Sequence, residues 1–556
     1  MKNKSMKIFF SLIILASLPL LLFAQQEKEN LGDKEYIIIK DYKPVLGESF
    51  KISDSPEGDT SSATPPEMEY NIRSKKITSE YELSTIKAVK IKDEQLTKLY
   101  RTYLKLGIGN YTTYTGDLYV NALRSKKGVA GIALNHFSGN PGLKDVGPAG
   151  FSQSHGGVYG KYFLDNNTFS GNIDYNRDVV HYYGYNLDTI ISRNDLKQRF
   201  NKFGMQLALG SNNLSHDHLD YSGAFGFTTI SDLYEVSEND FLISGKLGKK
   251  VNEYYVNGDI SFNYFNKSLA KNELIQLDND LSRSIVTFIP TVSFDKDKVK
   301  LVLGLNVGIE KNLGSDIHLF PKIDMSLPIA ENILYAFVGV NGNIIKNSYQ
   351  TIAEENPFVT SAIVPYNSIN KLELKAGLNG NFSSLFSFMA MVKYTTIDRM
   401  LLYINDSVYF NKFNTLYVNG KVLNLHAEVS YNASEKLTAT LRYDQYGYSM
   451  DQNEKAWHKP NSEMALNFKY NFWDKLIFNA SIYASGKYYV RIQDNPGYVS
   501  QKINGYLDAN LGIEYRYSKI LSLYIDFNNL GFARQYRWYN YPSEKLNILG
   551  GIKYSF

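Results

Sequence analysis

Eight histidines in a chain of 556 residues are the first place to look for metal or acid-base chemistry. The densest group is His216-Asp217-His218, and alternate histidines on a strand would share a face, as zinc ligands can. They fall at the end of "SNNLSHDH", a stretch that reads as a turn, with no third ligand in the pattern, so a solvated hairpin is the favoured reading. No Ser/His or Asp/His set has the spacing of a nucleophilic site. "GIGNYTTYTG", Gly107 to Gly116, has neither the spacing nor the following helix of a phosphate loop or dinucleotide fingerprint. Its glycines are expected to let strands bend or pack closely. The chain therefore reads as non-enzymatic, with no metal and no cofactor.

A second group is charged rather than reactive. Asp508, Glu514, Arg516, His426, Glu428, Arg442 and Asp444 recur at every second position of otherwise apolar stretches. Alternation of this kind belongs to a strand with one wet face, because side chains of a strand point to opposite sides in turn. In "LDANLGIEYRY", Leu507, Ala509, Leu511, Ile513, Tyr515 and Tyr517 share one face, while Asp508, Asn510, Glu514 and Arg516 share the other. "LSLYIDFN" and "VKLVLGLNVGIE" repeat the arrangement, and Tyr254, Val256, Ile260, Phe262 and Tyr264 form another apolar stripe. The charges could line a solute path, or supply the polar lining that any wide lumen needs.

The elements carrying these stripes predict the architecture. Ten short turns, near Lys126, Asn166, Asn213, Lys249, Lys296, Glu331, Ser383, Ala433, Asp474 and Ser518, alternate with longer connections. Ten hairpins, an opening strand over 100–111 and a closing strand over 546–556 give an all-β fold: a single transmembrane antiparallel β-barrel of about 22 strands. Short turns on the periplasmic side and longer external loops are the habit of outer-membrane barrels. The closing strand "LNILGGIKYSF" turns Ile552, Tyr554 and Phe556 outward, the pattern of a barrel-assembly signal. With 44 Tyr, 31 Phe and only 15 Pro, the composition suits a barrel that is apolar outside and wet inside better than a series of soluble sandwiches. A net charge of +4 is too small and too dispersed for a nucleic-acid partner.

The front of the chain differs. Lys2, Lys4 and Lys7 followed by an apolar run to Phe23 and "LFA" read as a signal peptide over 1–24. No cysteine is present, which excludes a lipid-anchored cysteine and a disulfide framework. Residues 25–99 read as an extended segment and linker, with "SDSPEGDTSSATPPE" the linker by composition. "EYIIIK" places Glu35, Tyr36, Ile37, Ile38 and Ile39 in a strand-like tract, a candidate partner-binding stretch.

From about Ser368 onward the chain resembles the barrel of TonB-dependent outer-membrane receptors of Bacteroidetes type. The resemblance rests on "MVKYTTIDRMLLYI", "NTLYVNGKVLNLHAEVSYNASEKLTATLRYDQY", "YLDANLGIEYRYSKILSLYIDFNNLGFARQYRWYNYP" and the terminal "NILGGIKYSF". It implies outer-membrane localisation, contact with outer-membrane lipid, insertion by the barrel-assembly machinery, and solute uptake, with TonB as one candidate partner. It also implies a plug of well over a hundred residues ahead of the first strand, for which the 75 residues before Tyr100 leave too little chain. Three roles stay open for that short segment: a periplasmic or lumenal stretch in place of a plug, an arm for another protein, or a TonB contact. The alternative to transport is a structural or accessory barrel of an outer-membrane complex. The loop residues Tyr536, Trp538, Tyr539 and Tyr541 are expected to form an interfacial girdle.

Overall fold

The computed structural model describes residues 99–556, apart from 123–124, 186–190, 193, 213–217, 269–280, 297, 313, 434–435 and 495–496. The signal peptide, the linker, Glu35 to Ile39, His216 and Asp217 lie outside the described residues.

Strands form wherever the period of two is sustained. In chain order they are β1 (Thr102–Gly109), β2 (Thr113–Asn121), β3 (Gly128–Gly139), β4 (Phe151–Phe163), β5 (Asn167–His181), β6 (Lys197–Ser211), β7 (Asp220–Ser231), β8 (Ser237–Val251), β9 (Tyr254–Lys267), β10 (Leu281–Lys296) and β11 (Val299–Lys311). There follow β12 (Ser315–Ala330), β13 (Leu334–Ile345), β14 (Ser368–Asn381), β15 (Phe386–Asn405), β16 (Phe413–Asn432), β17 (Leu437–Met450), β18 (Ser462–Phe472) and β19 (Leu476–Ser485). The rest are β20 (Tyr488–Asp494), β21 (Gly497–Ile503), β22 (Tyr506–Arg516), β23 (Leu521–Asn528), β24 (Tyr536–Trp538), β25 (Tyr541–Pro542) and β26 (Asn547–Ser555). One helix, α1 (Tyr349–Glu355), interrupts the connection between β13 and β14.

Twenty-two of these strands form one sheet, each antiparallel to its sequence neighbour. The pairs β20–β21 and β24–β25 are separate hairpins raised from the loops after β19 and β23. The sheet closes where β1 pairs with β26, from Tyr103 opposite Ser555 to Gly109 opposite Leu549. Closure leaves this sheet no exposed edge, so each of its 22 strands has a partner on both sides.

All ten expected hairpins are present, with two to eight residues in their turns. Tight reversals need left-handed backbone, and Trp473 and Asp474 supply it at φ +52° and +56°. Both ends of the described chain lie at this short-turn end, where Thr102 and Phe556 exchange backbone hydrogen bonds of 2.9 and 3.0 Å. The opposite end departs from expectation in one respect. The β1–β2, β7–β8, β11–β12 and β15–β16 connections are as short as the turns, and the long loops are concentrated elsewhere.

The faces sort as the alternation requires. Ile243, Ile260, Leu303, Leu507 and Ile552 are outward and exposed, while Asn257, Asn306, Glu310 and Glu514 are inward and buried. A closed barrel with an apolar outer surface and a charged interior is a membrane-spanning barrel of the outer-membrane type.

Candidate functional site

The long-loop end is spanned by residues 346–367, the connection between β13 and β14. Its first turn is fixed locally by a capping box: the Ser348 hydroxyl accepts from Thr351 N at 3.1 Å, and the Thr351 hydroxyl accepts from Ser348 N at 2.9 Å. Pro357 then stops α1 after its C-cap Asn356. Tyr349, Ile352 and Ala353 on α1 are buried. They join Val359 and Ile363 in an apolar cluster with Phe200 of β6, Ile230 of β7, Tyr403 of β15, Phe413 of β16, Trp538 and Tyr541. One loop therefore touches strand ends from separated parts of the barrel circumference.

Buried polar groups hold the loop in place. Glu238 of β8 accepts from Tyr349 N at 3.0 Å and Gln350 N at 3.1 Å. Arg283 of β10 donates Nη1 to Asn347 O at 2.8 Å and Pro365 O at 2.9 Å, close to the two ends of the loop. Its Nη2 lies 3.5 Å from Glu238, and both side chains are 1% exposed. Asp232 accepts from the Tyr349 hydroxyl at 2.7 Å and from Tyr234 N and Val236 N at 2.9 Å each. Burial pushes the Tyr349 hydroxyl well above its ordinary value, so it stays protonated as a donor. Tyr182 donates to Val359 O at 3.1 Å, and Lys267 to Ser361 O at 2.9 Å.

From the other side, the Tyr403 hydroxyl and Lys459 Nζ reach Glu355 at 2.9 and 3.0 Å. Burial alone would raise the Glu355 carboxyl, but the Lys459 charge and these two donors outweigh it and hold the group below the usual carboxylate range. Val359 bridges Phe413 in parallel, and Phe358 stacks on Tyr541 with ring centroids 3.8 Å apart.

The expected girdle is corrected here. Trp538 and Tyr541 are buried in the apolar cluster, and Tyr536 accepts a hydrogen bond at its carbonyl from the Tyr488 hydroxyl. An amphipathic ring fits a headgroup layer or a capped mouth equally well, and only the fold of the loop decides between them.

On the lumen side of this loop lies a chamber of about 680 Å³. Wall residues include Glu373 and Lys393, 3.8 Å apart, with Tyr446, Tyr448, Glu463 and Tyr483; the Tyr483 hydroxyl donates to Glu463 at 2.7 Å. Glu355 from the spanning loop and Arg537 from β24 complete it. His458 also faces it, with Nδ1 2.9 Å from Tyr403 O and with no partner within reach of its buried Nε2. Burial pushes the His458 imidazole down to about 4, with Lys459 adding to the shift and the Tyr403 carbonyl opposing it.

The inward charges named from sequence line the wall in pairs. Asp444 lies 2.9 Å from His426 and 3.2 Å from Arg442, and Glu428 stands opposite Arg442 in register. Glu514 pairs with Lys553 at 2.6 Å and lies 3.7 Å from Arg516, and Asp508 accepts from Asn510 at 3.4 Å. Such pairing makes a hydrated wall with little net field rather than a reactive centre. His218 is exposed, and among the described residues no three His, Cys, Asp or Glu side chains converge as metal ligands. Ile552 and Phe556 face outward and exposed, and Tyr554 packs on Phe556 at 5.2 Å between ring centroids. The chamber escaped the sequence reading, since its lining comes from eight barrel strands and four of the loops between them, with no shared motif.

No protein-family model matches the chain, and no curated protein is similar to it in sequence. Solved structures do match in fold. The FrpB iron transporter from Neisseria meningitidis (F3-3 variant) aligns with a TM-score of 0.65 and 11% identity, over 83% of this chain and 82% of that one. The siderophore receptor PirA from Acinetobacter baumannii gives 0.63 and 10%, over 83% and 81%. The copper transporter OprC gives 0.60 and 10%, over 82% and 80%. At these identities the likeness establishes architecture: the chain folds as the 22-stranded barrel of TonB-dependent receptors does.

Proposed function

We propose that this chain is a non-enzymatic outer-membrane barrel for solute uptake, with residues 25–99 standing in place of a plug. The observation that carries the reading is the chamber of about 680 Å³ on the inner wall, where Glu373, Lys393, Tyr446, Glu463 and Arg537 converge. Its volume is that of a small-molecule site, and its mixed charge suits a polar solute rather than lipid. The shared fold with an iron transporter, a siderophore receptor and a copper transporter supports the class of activity without naming the solute. In this reading Glu35, Tyr36, Ile37, Ile38 and Ile39 add as a strand to a periplasmic partner, TonB being one candidate. Ile552, Tyr554 and Phe556 are read by the barrel-assembly machinery.

The test is single-channel conductance in planar bilayers, with residues 348–366 replaced by a short Gly/Ser linker so that the mouth-spanning loop does not hide the result. Removing residues 25–99 from that background should produce a large new conductance. Equal conductance with and without the segment would sink the plug-replacement idea.

A second reading, an accessory subunit of an outer-membrane complex, is favoured by one observation. Val408, Tyr409 and Phe410 form an exposed apolar tip on the β15–β16 loop, the kind of patch that partners cover. Purification in mild detergent would decide it, since recovery of the bare monomer counts against a stable complex.

A further inference from the structure

We infer that residues 346–367 are a lid that closes the outer mouth of the barrel independently of the N-terminal segment, and that the buried Arg283–Glu238 pair is its latch. The inference concerns access, and stands whether the barrel carries a solute or serves a complex.

Four observations carry it. The loop is anchored on both sides of the mouth: β8 and β10 hold one side through Glu238 and Arg283, while Tyr403 of β15 and Phe413 of β16 hold the other. The anchoring groups are buried, which is unusual for a connection expected to lie over the surface in water. A third loop closes over it, with Tyr541 stacked on Phe358 and its hydroxyl donating to Asn411 O. Finally, the chamber reaches Glu373, five positions along β14 from the rim residue Ser368, so it lies on the lumen side of the loop.

The latch follows from where the two charges bind. Arg283 holds the carbonyls of Asn347 and Pro365, near the start and the end of the loop, with one nitrogen. Glu238 holds the first N–H groups of α1 between them. Both charges stand on barrel strands and stay behind when the loop moves, so swinging it outward breaks together the four hydrogen bonds that they make to its backbone. That cost makes the closed arrangement a discrete state rather than one of many loop positions.

A cysteine-free chain makes the test direct. Lys393, exposed into the chamber, is changed to cysteine in the full chain, and intact cells are treated with a membrane-impermeant maleimide. The residue should stay unlabelled from outside, yet react fully after denaturation. Replacing residues 348–366 with a Gly/Ser linker should raise external labelling by about tenfold or more, tenfold corresponding to ~1.4 kcal/mol in an opening equilibrium. Rapid labelling in the chain with its lid intact would overturn the lid, and needs no lid variant to be observed. Glu238→Gln combined with Arg283→Met, which leaves no stranded charge, should also speed labelling. An unchanged rate in that double variant would overturn the latch.

Discussion

Gly107 stands directly opposite Gly551 where the first strand pairs with the last, and the Tyr524 ring lies across the inner side of that junction. A Cβ on Gly107 would meet the Tyr524 hydroxyl at 2.1 Å, and one on Gly551 would meet the Leu106 carbonyl oxygen at 1.9 Å. Lys105 covers the same ring from above, its Nζ 4.6 Å from the centroid. The barrel thus closes at a point where a side chain on the first strand would displace the Tyr524 ring and one on the last would meet backbone. Gly551→Ala should cost about 1 to 3 kcal/mol, because the obstruction is backbone and no rotamer relieves it. Heat-modifiable mobility on gels would show the folded band lost at lower temperature, and an unchanged midpoint would mean that the seam relaxes freely.

Ile552 faces lipid one position before Lys553, which faces the lumen and pairs with Glu514. Ile552→Arg should cost about 2 to 4 kcal/mol if the side chain sits at the bilayer midplane, and less nearer an interface. Urea titration of the chain folded into liposomes measures this. Folding into lipid without penalty would mean that the facing assignment of β26 is wrong.

Protonation of His458 gives a pH dependence with a defined sign. The folded-state imidazole is pushed down to about 4, against an ordinary value of 6.5, so it is neutral in the capped barrel. Between those values an unfolded or opened loop binds a proton that the packed one does not. His458 therefore costs the packed state nothing above pH 6.5, and packing weakens as pH falls from 6.5 towards 4, by on the order of 2 to 3 kcal/mol. Hydrogen exchange of the 451–461 loop should speed up across that window. A His458→Gln variant should lose that part of the pH dependence, and an identical profile would assign it elsewhere.

Arg283 and Glu238 should be strongly non-additive. Arg283→Met alone strands a buried carboxylate and should cost about 3 to 5 kcal/mol. Adding Glu238→Gln removes that charge while keeping an acceptor for Tyr349 N, and should recover about 1 to 3 kcal/mol of the loss. Simple additivity in a double-mutant cycle would show that the two groups act separately.

The barrel was legible because a strand in a membrane wall carries its own evidence. Val299 to Ile309 alternates without help from the rest of the chain, and a turn such as Trp473-Asp474 is chosen locally. The lid was not legible, because the residues that hold it are far away in sequence. Arg283 reaches Asn347 and Pro365 across 64 and 82 positions, and Tyr182 reaches Val359 across 177. A signal was nevertheless present. Residues 346–367 are long for a connection, contain a helix-capping pair at Ser348 and Thr351, and carry Ile352, Val359 and Ile363 where a solvated loop would be polar. Trp538 and Tyr541 were misassigned for a related reason, since their chemistry fits two environments and only tertiary contacts separate them.

The strands differ greatly in length around the circumference. β1 has 8 residues and β26 has 9, whereas β15 and β16 have 20 each. At ~3.3 Å per residue and a tilt of ~45°, the short side rises about 19 to 21 Å and the tall side about 47 Å. A bilayer of uniform thickness cannot match both flanks. The tall flank stands clear of the lipid as a parapet, while acyl chains beside the seam must shorten their span by several ångströms relative to an apolar band of ~25 Å. The seam is therefore also the flank where the mismatch with the surrounding membrane is greatest.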